Sequence, residues 1–165
     1  MNMRKVVMDT YNQIIEDEEI LRLLHYRSEQ FNDSPLDESK PNILDMDNVD
    51  KFDIIDKHII RSDQTDRLEN ESIITRLCVY PGRRLPTNGN YLLANQDIVF
   101  DIYVQNQQDH IDLRLSWIAD RINELFINKK ITGVNKMQFI DALPLNSKPD
   151  GYVGMKIIYR AVSKK

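Results

Sequence analysis

Apolar residues recur at helical spacing near the start of the chain. Val7, Tyr11, Ile14, Leu21 and Leu24 fall on one face of a helix drawn over residues 3–26, and many of the positions between them are acidic. An apolar stripe opposite a charged face is typical of an amphipathic helix that packs on a core. We therefore assign residues 1–27 to an N-terminal helical segment that opens the fold.

Helical periodicity stops in residues 28–70, where Asp, Asn, Ser and Glu predominate. Three apolar pairs interrupt this acidic stretch: Ile43-Leu44, Ile54-Ile55 and Ile59-Ile60. A compact domain seldom contains so long a segment without regular structure. We predict a long, irregular arm that docks its apolar pairs on this subunit or on a neighbour, with a short helix near residues 49–59 as one option. Its polar composition also predicts mobility before assembly.

Period-two alternation of apolar side chains predicts two strands in the second half, at residues 73–80 and 98–104. The segment Pro81–Gln96 separates them and contains a Pro-Gly pair, an Asn-Gly pair and the adjacent Arg83 and Arg84. A hairpin turn needs only about 2 to 5 residues. We therefore predict that Pro81–Gln96 is a long loop with a function beyond reversing the chain.

A second helix is predicted at about residues 109–128. Asp109 and Asp112 have the spacing of an N-cap and an acidic third residue, and an apolar-periodic run follows them. After this helix, residues 134–142 and 152–162 have the alternation of two further strands.

These elements predict an α+β fold, with a four-stranded, mostly antiparallel sheet packed by two helices in the order α, long arm, β, β, α, β, β. A chain of 165 residues buries one sizeable core, so we predict a single domain over residues 1–165 whose β-β-α-β-β core begins at residue 71. Leu113 and Trp117 fall away from the main apolar stripe of the second helix. Either the first helix or the arm covers them, or they form a subunit interface.

Charge divides the chain into two unlike halves. Residues 1–71 hold 18 acidic and 9 basic residues, and the remainder holds 8 acidic and 13 basic residues. Opposite charges on one polypeptide can align identical subunits, and they can also draw nucleic acid to the basic half. The basic residues are scattered and the sequence pI is near 5.4, which favours subunit alignment. A nucleic-acid-binding module would depend on Arg76, Arg83, Arg84, Lys136, Lys156, Arg160 and the Lys164-Lys165 end.

The sequence offers no recognisable catalytic, cofactor-binding or metal-binding motif. The three histidines stand apart without metal-ligand spacing, and the carboxylates of Asp109 and Asp112 beside His110 are explained by helix capping. Cys78 lies in the middle of a predicted strand, where a cysteine usually acts as a small buried apolar residue. We therefore expect no enzyme, no cofactor and no metal. The chain also lacks the ~18 consecutive apolar residues of a membrane-spanning helix, so we expect no membrane partner.

Several segments of the second half share a pattern with one family of proteins. They are Val79-Tyr80-Pro81-Gly82-Arg83-Arg84, Asn90-Tyr91-Leu92-Leu93-Ala94-Asn95-Gln96-Asp97, Phe100-Asp101-Ile102-Tyr103-Val104, Arg114-Leu115-Ser116-Trp117-Ile118-Ala119-Asp120-Arg121-Ile122-Asn123, Ile131-Thr132-Gly133 and Pro149-Asp150-Gly151-Tyr152-Val153-Gly154. Together they resemble the tail-terminator or tail-completion proteins of long-tailed bacteriophages and prophages of Gram-positive bacteria. None of these segments is a catalytic signature.

The resemblance implies a structural virion protein that forms a ring, typically a hexamer, on the end of the tail tube. Such a ring stops tube polymerisation and presents a joining surface to the head. The implied partners are other copies of the chain, the tail-tube protein and the head connector or stopper protein, with DNA only as cargo passing through the lumen. The implied location is the virion tail or neck, after assembly in the host cytoplasm. The acidic arm leaves a neighbouring role open, that of a connector or stopper between portal and tail.

A ring needs two different complementary patches on each subunit. We predict that the loop supplies one patch, because Arg and Tyr are common interface anchors. Its contact residues would be Arg83, Arg84, Tyr91, Leu92 and Leu93. Leu113 and Trp117 are predicted to make a further contact. The alternative is that the loop folds back on its own sheet, so that Leu92 and Leu93 complete the core.

Overall fold

The computed structural model describes residues 3–65, 68, 74–133 and 135–164, and it describes residues 90, 91, 163 and 164 by their backbone alone. Its strands are β1 (Ile59–Ile60), β2 (Arg76–Thr87), β3 (Asn90–Gln105), β4 (Gln138–Pro144) and β5 (Tyr152–Lys164). They form one sheet in the order β1-β2-β3-β5-β4, in which β1 runs parallel to β2 and the other described pairs are antiparallel. The predicted α+β class is confirmed. Sequence analysis missed β1 because two residues are too few to show alternation.

The main core lies between one face of this sheet and the helices. The helices are α1 (Met3–Ile15), α2 (Glu18–His25), α3 (Asn48–His58), α4 (Asn106–Asp112) and α5 (Arg114–Phe126). Alternate residues of β3 face α5, and the ring of Phe100 lies 5.1 Å from that of Phe126 and 5.5 Å from that of Tyr159 on β5. None of the helices among the described residues has the length and apolar character needed to cross a membrane.

The single N-terminal helix predicted over residues 3–26 is wrong, because the structure has two helices there. Asp17 separates them as the N-cap of α2, and its carboxylate accepts the backbone N–H of Ile20 at 2.9 Å. Arg121 of α5 holds the same carboxylate at 2.7 Å. The sequence carries this signal, since Asp17 is followed by Glu18 and Glu19, and acidic residues favour a helix N-terminus.

The acidic segment predicted as an irregular arm contains regular structure. It holds a 3₁₀ helix at Ile43–Asp45, the helix α3 and the strand β1. The short helix expected near residues 49–59 is therefore present. One member of each apolar pair, Ile43, Ile55 and Ile59, is buried in the main core. The apolar pairs thus dock on this chain itself.

The long loop predicted at Pro81–Gln96 is also wrong. In the structure β2 and β3 continue through it as a paired hairpin, which we call the distal hairpin (residues 81–96). Asn88-Gly89 makes the turn, where Gly89 has a φ of 80°. A register shift between Pro81 and Arg84 interrupts the pairing, and at its centre a Cβ on Gly82 would lie 2.8 Å from Val99 Cγ2. The shift and the prolines hide the strand pattern from sequence analysis.

The second predicted helix is divided at Leu113, whose φ of 53° lies in the left-handed region. The sequence predicted Asp109 as the N-cap of the second helix, but Asp109 lies inside α4. Its carboxylate instead accepts the backbone N–H of Leu115 at 2.8 Å and so caps α5. The two strands predicted at residues 134–142 and 152–162 correspond to β4 and β5 with shifted boundaries.

Candidate subunit interface

Four of the predicted contact residues have described side chains on the distal hairpin. Arg83 and Leu92 are exposed, whereas Arg84 and Leu93 are half-buried. The side chain of Tyr91 lies outside the described residues. Ala94, which the sequence did not single out, is the buried apolar residue of this segment. The alternative in which both leucines complete the core therefore does not hold for Leu92.

Two prolines determine how the distal hairpin can make contacts. Pro81 and Pro86 lie on β2 and lack the N–H that a further strand would need. Within the described part of the chain, β1 pairs only with Leu77 and Cys78 of β2, below the hairpin. Prolines on an outer strand discourage backbone pairing with another chain. Contacts made by the hairpin must therefore depend mainly on its side chains.

Leu113 and Trp117 do not lie in one patch with the predicted contact residues of the distal hairpin. Leu113 follows α4 at the end of β3 remote from the Asn88-Gly89 turn, and its side chain is exposed. Trp117 is half-buried and packs against the main core. Leu113 thus lies beyond the end of β3 that is remote from the hairpin turn, and Trp117 lies in the first half of α5.

β4 forms a second exposed apolar surface, on the opposite edge of the sheet from β2. All of its residues are exposed, and its three large apolar side chains, Phe139, Ile140 and Leu143, keep 44%, 39% and 46% of their surface. Asp141 is the only charged residue of the strand. Sequence analysis missed this surface because its position at an edge depends on the order of strands, which the local pattern does not contain.

The face of the sheet away from the helices contains paired charges. Arg160 holds the carboxylate of Asp97 with two hydrogen bonds, of 2.6 and 2.9 Å. Lys156 Nζ donates to the Tyr80 hydroxyl at 2.8 Å, and this hydroxyl donates to the buried Asp101 carboxylate at 2.6 Å. Burial raises the pKa of Asp101, and Lys156 opposes the shift. Lys156 and Arg160 are thus engaged within the chain.

Two side chains that could take part in chemistry, Cys78 and His58, are held in unreactive states. Burial raises the pKa of the Cys78 thiol to about 11, so the thiol stays protonated at neutral pH. Burial lowers the pKa of His58 to about 4, and its Nδ1 donates to the carbonyl of Thr75 at 2.7 Å. No group of three or more metal-ligating side chains that could hold an ion occurs among the described residues.

Comparison with known proteins identifies the family of this chain. The sequence model of the YomW family matches residues 17–161. A protein of Bacillus subtilis (strain 168) named SPbeta prophage-derived uncharacterized protein YomW is 32% identical over 157 residues, which cover 90% of each chain. The chain belongs to the YomW family. A phage or prophage relationship, which the sequence resemblance predicted, is therefore supported.

The YomW match spans the two exposed surfaces described above. It runs from Asp17, the cap of α2, to Ala161 on β5 and so includes the distal hairpin and β4. The acidic segment also lies inside the match, together with α2, which packs on its 3₁₀ helix and on α3. The YomW family relationship therefore covers the whole sheet apart from the last residues of β5.

Proposed function

We propose that the chain is a structural subunit of a phage tail, of the tail-terminator or tail-completion kind. In this role, copies of the chain form a non-catalytic ring on the end of the tail tube. The ring stops tube polymerisation and offers a joining surface to the head connector. The relationship to a prophage-derived protein and the segments that resemble tail terminators both support this role.

The observation that carries the proposal is the pair of unlike exposed surfaces on opposite edges of one sheet. The distal hairpin presents Arg83 and Leu92, whereas β4 presents Asp141 among apolar side chains. A surface that binds a different surface on the next copy repeats around an axis and closes a ring when the rotation permits. Two unlike patches are therefore what a ring-forming subunit requires.

A role in binding DNA tightly has less support. Of the basic residues on which it would depend, Arg76 is buried, and Lys156 and Arg160 pair with Asp101 and Asp97. These pairs reduce the positive charge available to phosphates. In the proposed ring, DNA is cargo that passes through the lumen.

Removing the gene from the phage or prophage that encodes the chain tests the role. Tails made without this protein should reach abnormal lengths and fail to join heads, while heads still fill with DNA. Supplying the chain from a plasmid should restore tails of uniform length. Normal, infectious virions without the chain would refute the proposal.

A further inference from the structure

We propose that the ring is held together by the distal hairpin of one copy packing against β4 of the next. The inference rests on the proposed function, because it names the surfaces that such a ring would use. It concerns side-chain packing, since Pro81 and Pro86 limit backbone pairing along the outer side of β2.

The positions of the two surfaces require the contact to be between copies. In the strand order β1-β2-β3-β5-β4, β3 and β5 separate β2 from β4. The two surfaces therefore lie on opposite edges and face away from each other within one chain. When the β2 edge of one copy binds the β4 edge of the next, the β4 edge of the first copy and the β2 edge of the second stay available. The contact can therefore repeat from copy to copy.

The apolar side chains of the two surfaces match. Leu85 and Leu92 are exposed on the hairpin, with 37% and 59% of their surface accessible. On β4, Phe139, Ile140 and Leu143 are exposed along one seven-residue strand, with Phe139 opposite Tyr159 and Leu143 opposite Lys156, so that apolar side chains flank both faces of this edge. β4 also contains no lysine or arginine, the residues that commonly protect an exposed edge from association. Mutual burial would remove both apolar groups from water.

Charge identifies the hairpin of another copy as the occupant of β4. Asp141 is exposed and is the only charge of β4, and Arg83 is exposed on the hairpin. Pairing them joins opposite charges at the rim of an apolar contact. The competing arrangement, β4 against β4 across a twofold axis, would bring two copies of Asp141 close together. It would also end at a dimer, because the same surface is used on both copies.

Charge reversal provides the sharpest test. Association of the purified chain is measured by sedimentation velocity at high concentration, alone and with tail-tube protein. Arg83→Glu and Asp141→Arg should each weaken association by about tenfold or more, because like charges then face each other. The double variant with both changes should regain association. Arg27→Glu and Asp120→Arg, which make the same reversals at other exposed positions, should associate as the unchanged chain does.

Cross-linking of two variants, each with one added cysteine, tests the pairing directly. Copies with Leu85→Cys are mixed with copies with Ile140→Cys that carry a size tag, and a short bismaleimide is added. The inference predicts mixed dimers that contain one copy of each variant. The native Cys78 is fully buried, so the unchanged chain should not react and serves as the control.

The outcomes separate this inference from the proposed function. Oligomers that form without mixed cross-links, or single reversals that leave association unchanged, would overturn the inference and leave the ring intact. Dimers that link Ile140→Cys only to itself would show the twofold arrangement instead. A chain that stays monomeric both alone and with tail-tube protein would overturn the inference and the ring together.

Discussion

Arg114 and Asp112 form an ion pair of 2.6 Å in which both side chains are almost completely buried. The guanidinium also donates to the carbonyls of Leu23 and Tyr26, each at 2.6 Å, and to the Ser28 hydroxyl at 3.0 Å. The pair thus fastens the junction of α4 and α5 to the chain that leaves α2. Arg114 begins one of the segments that resemble tail terminators, and the structure gives it a structural role.

Replacing Arg114 by Met should lower the free energy of unfolding by about 3 to 5 kcal/mol. The change leaves the Asp112 carboxylate buried without its cation and removes the donor to the carbonyls of Leu23 and Tyr26. Urea unfolding measures the effect. Arg27→Met is the control, because Arg27 is exposed and its loss should change stability by no more than about 0.5 kcal/mol. Equal stabilities of the two variants would show that the buried pair is unimportant.

Sequence patterns predicted those parts of the fold that depend on local periodicity. The alternation at residues 98–104 and the apolar stripe of α5 correspond to a strand and a helix that contribute to the main core. Boundaries set by single side chains were harder to predict. Asp17 ends one helix and caps the next, and Leu113 breaks another by adopting a left-handed conformation that its residue type does not favour.

The candidate interface shows the same limit. Sequence composition indicated Arg83 and Leu92, and both are exposed. It did not indicate β4, because the exposure of Phe139 and Ile140 follows from strand order and from long-range pairing with β5. Asn88-Gly89 is a hairpin signal in the sequence, but the segment Pro81–Gln96 around it is much longer than a hairpin turn and was therefore predicted as a loop.

Acidification should destabilise the chain through His58. Its pKa is about 4 in the folded chain, mainly because of burial, against 6.5 for the unperturbed side chain. The unfolded chain therefore binds the proton more tightly, and stability present above pH 6.5 is lost as the pH falls toward 4. The loss should reach about 3 kcal/mol. Chemical unfolding at a series of pH values measures it.

A variant isolates the contribution of His58 to this pH dependence. His58→Asn removes the titrating ring and keeps an N–H donor near the carbonyl of Thr75. It should be less stable at neutral pH but lose less stability between pH 6.5 and 4. His110→Asn, at an exposed position, is the control for the loss of a histidine elsewhere in the chain. A profile with the same slope in His58→Asn would assign the acid sensitivity to other groups.

Gly133 should tolerate alanine less well than Gly89 does. Both glycines have a positive φ, of 78° and 80°, so alanine is strained by about 1 to 2 kcal/mol at either position. At Gly133 the new Cβ would also overlap the carbonyl oxygen of Val162 on β5, whereas nothing lies within 4 Å at Gly89. Thermal unfolding of the two variants compares them. Similar melting temperatures would contradict the close approach of Gly133 to β5.

Helix α3 should be protected from hydrogen exchange in the isolated subunit. The sequence predicted a mobile arm, but Ile55 of α3 is buried in the main core and Asp47 caps the helix by accepting the N–H of Val49 at 2.9 Å. Burial of this kind makes local opening costly. Exchange followed by mass spectrometry measures it. Exchange of α3 as fast as that of an unfolded peptide would instead support the prediction of a mobile arm.

Electron microscopy of virions that carry a labelled copy of the chain tests the proposed function most directly. A label fused after residue 165 should form a ring of density at the end of the tail tube that joins the head, and purified chain mixed with tail tubes should cap one end of each tube. Label along the tube, on the head shell or absent from purified virions would contradict a role in terminating the tail.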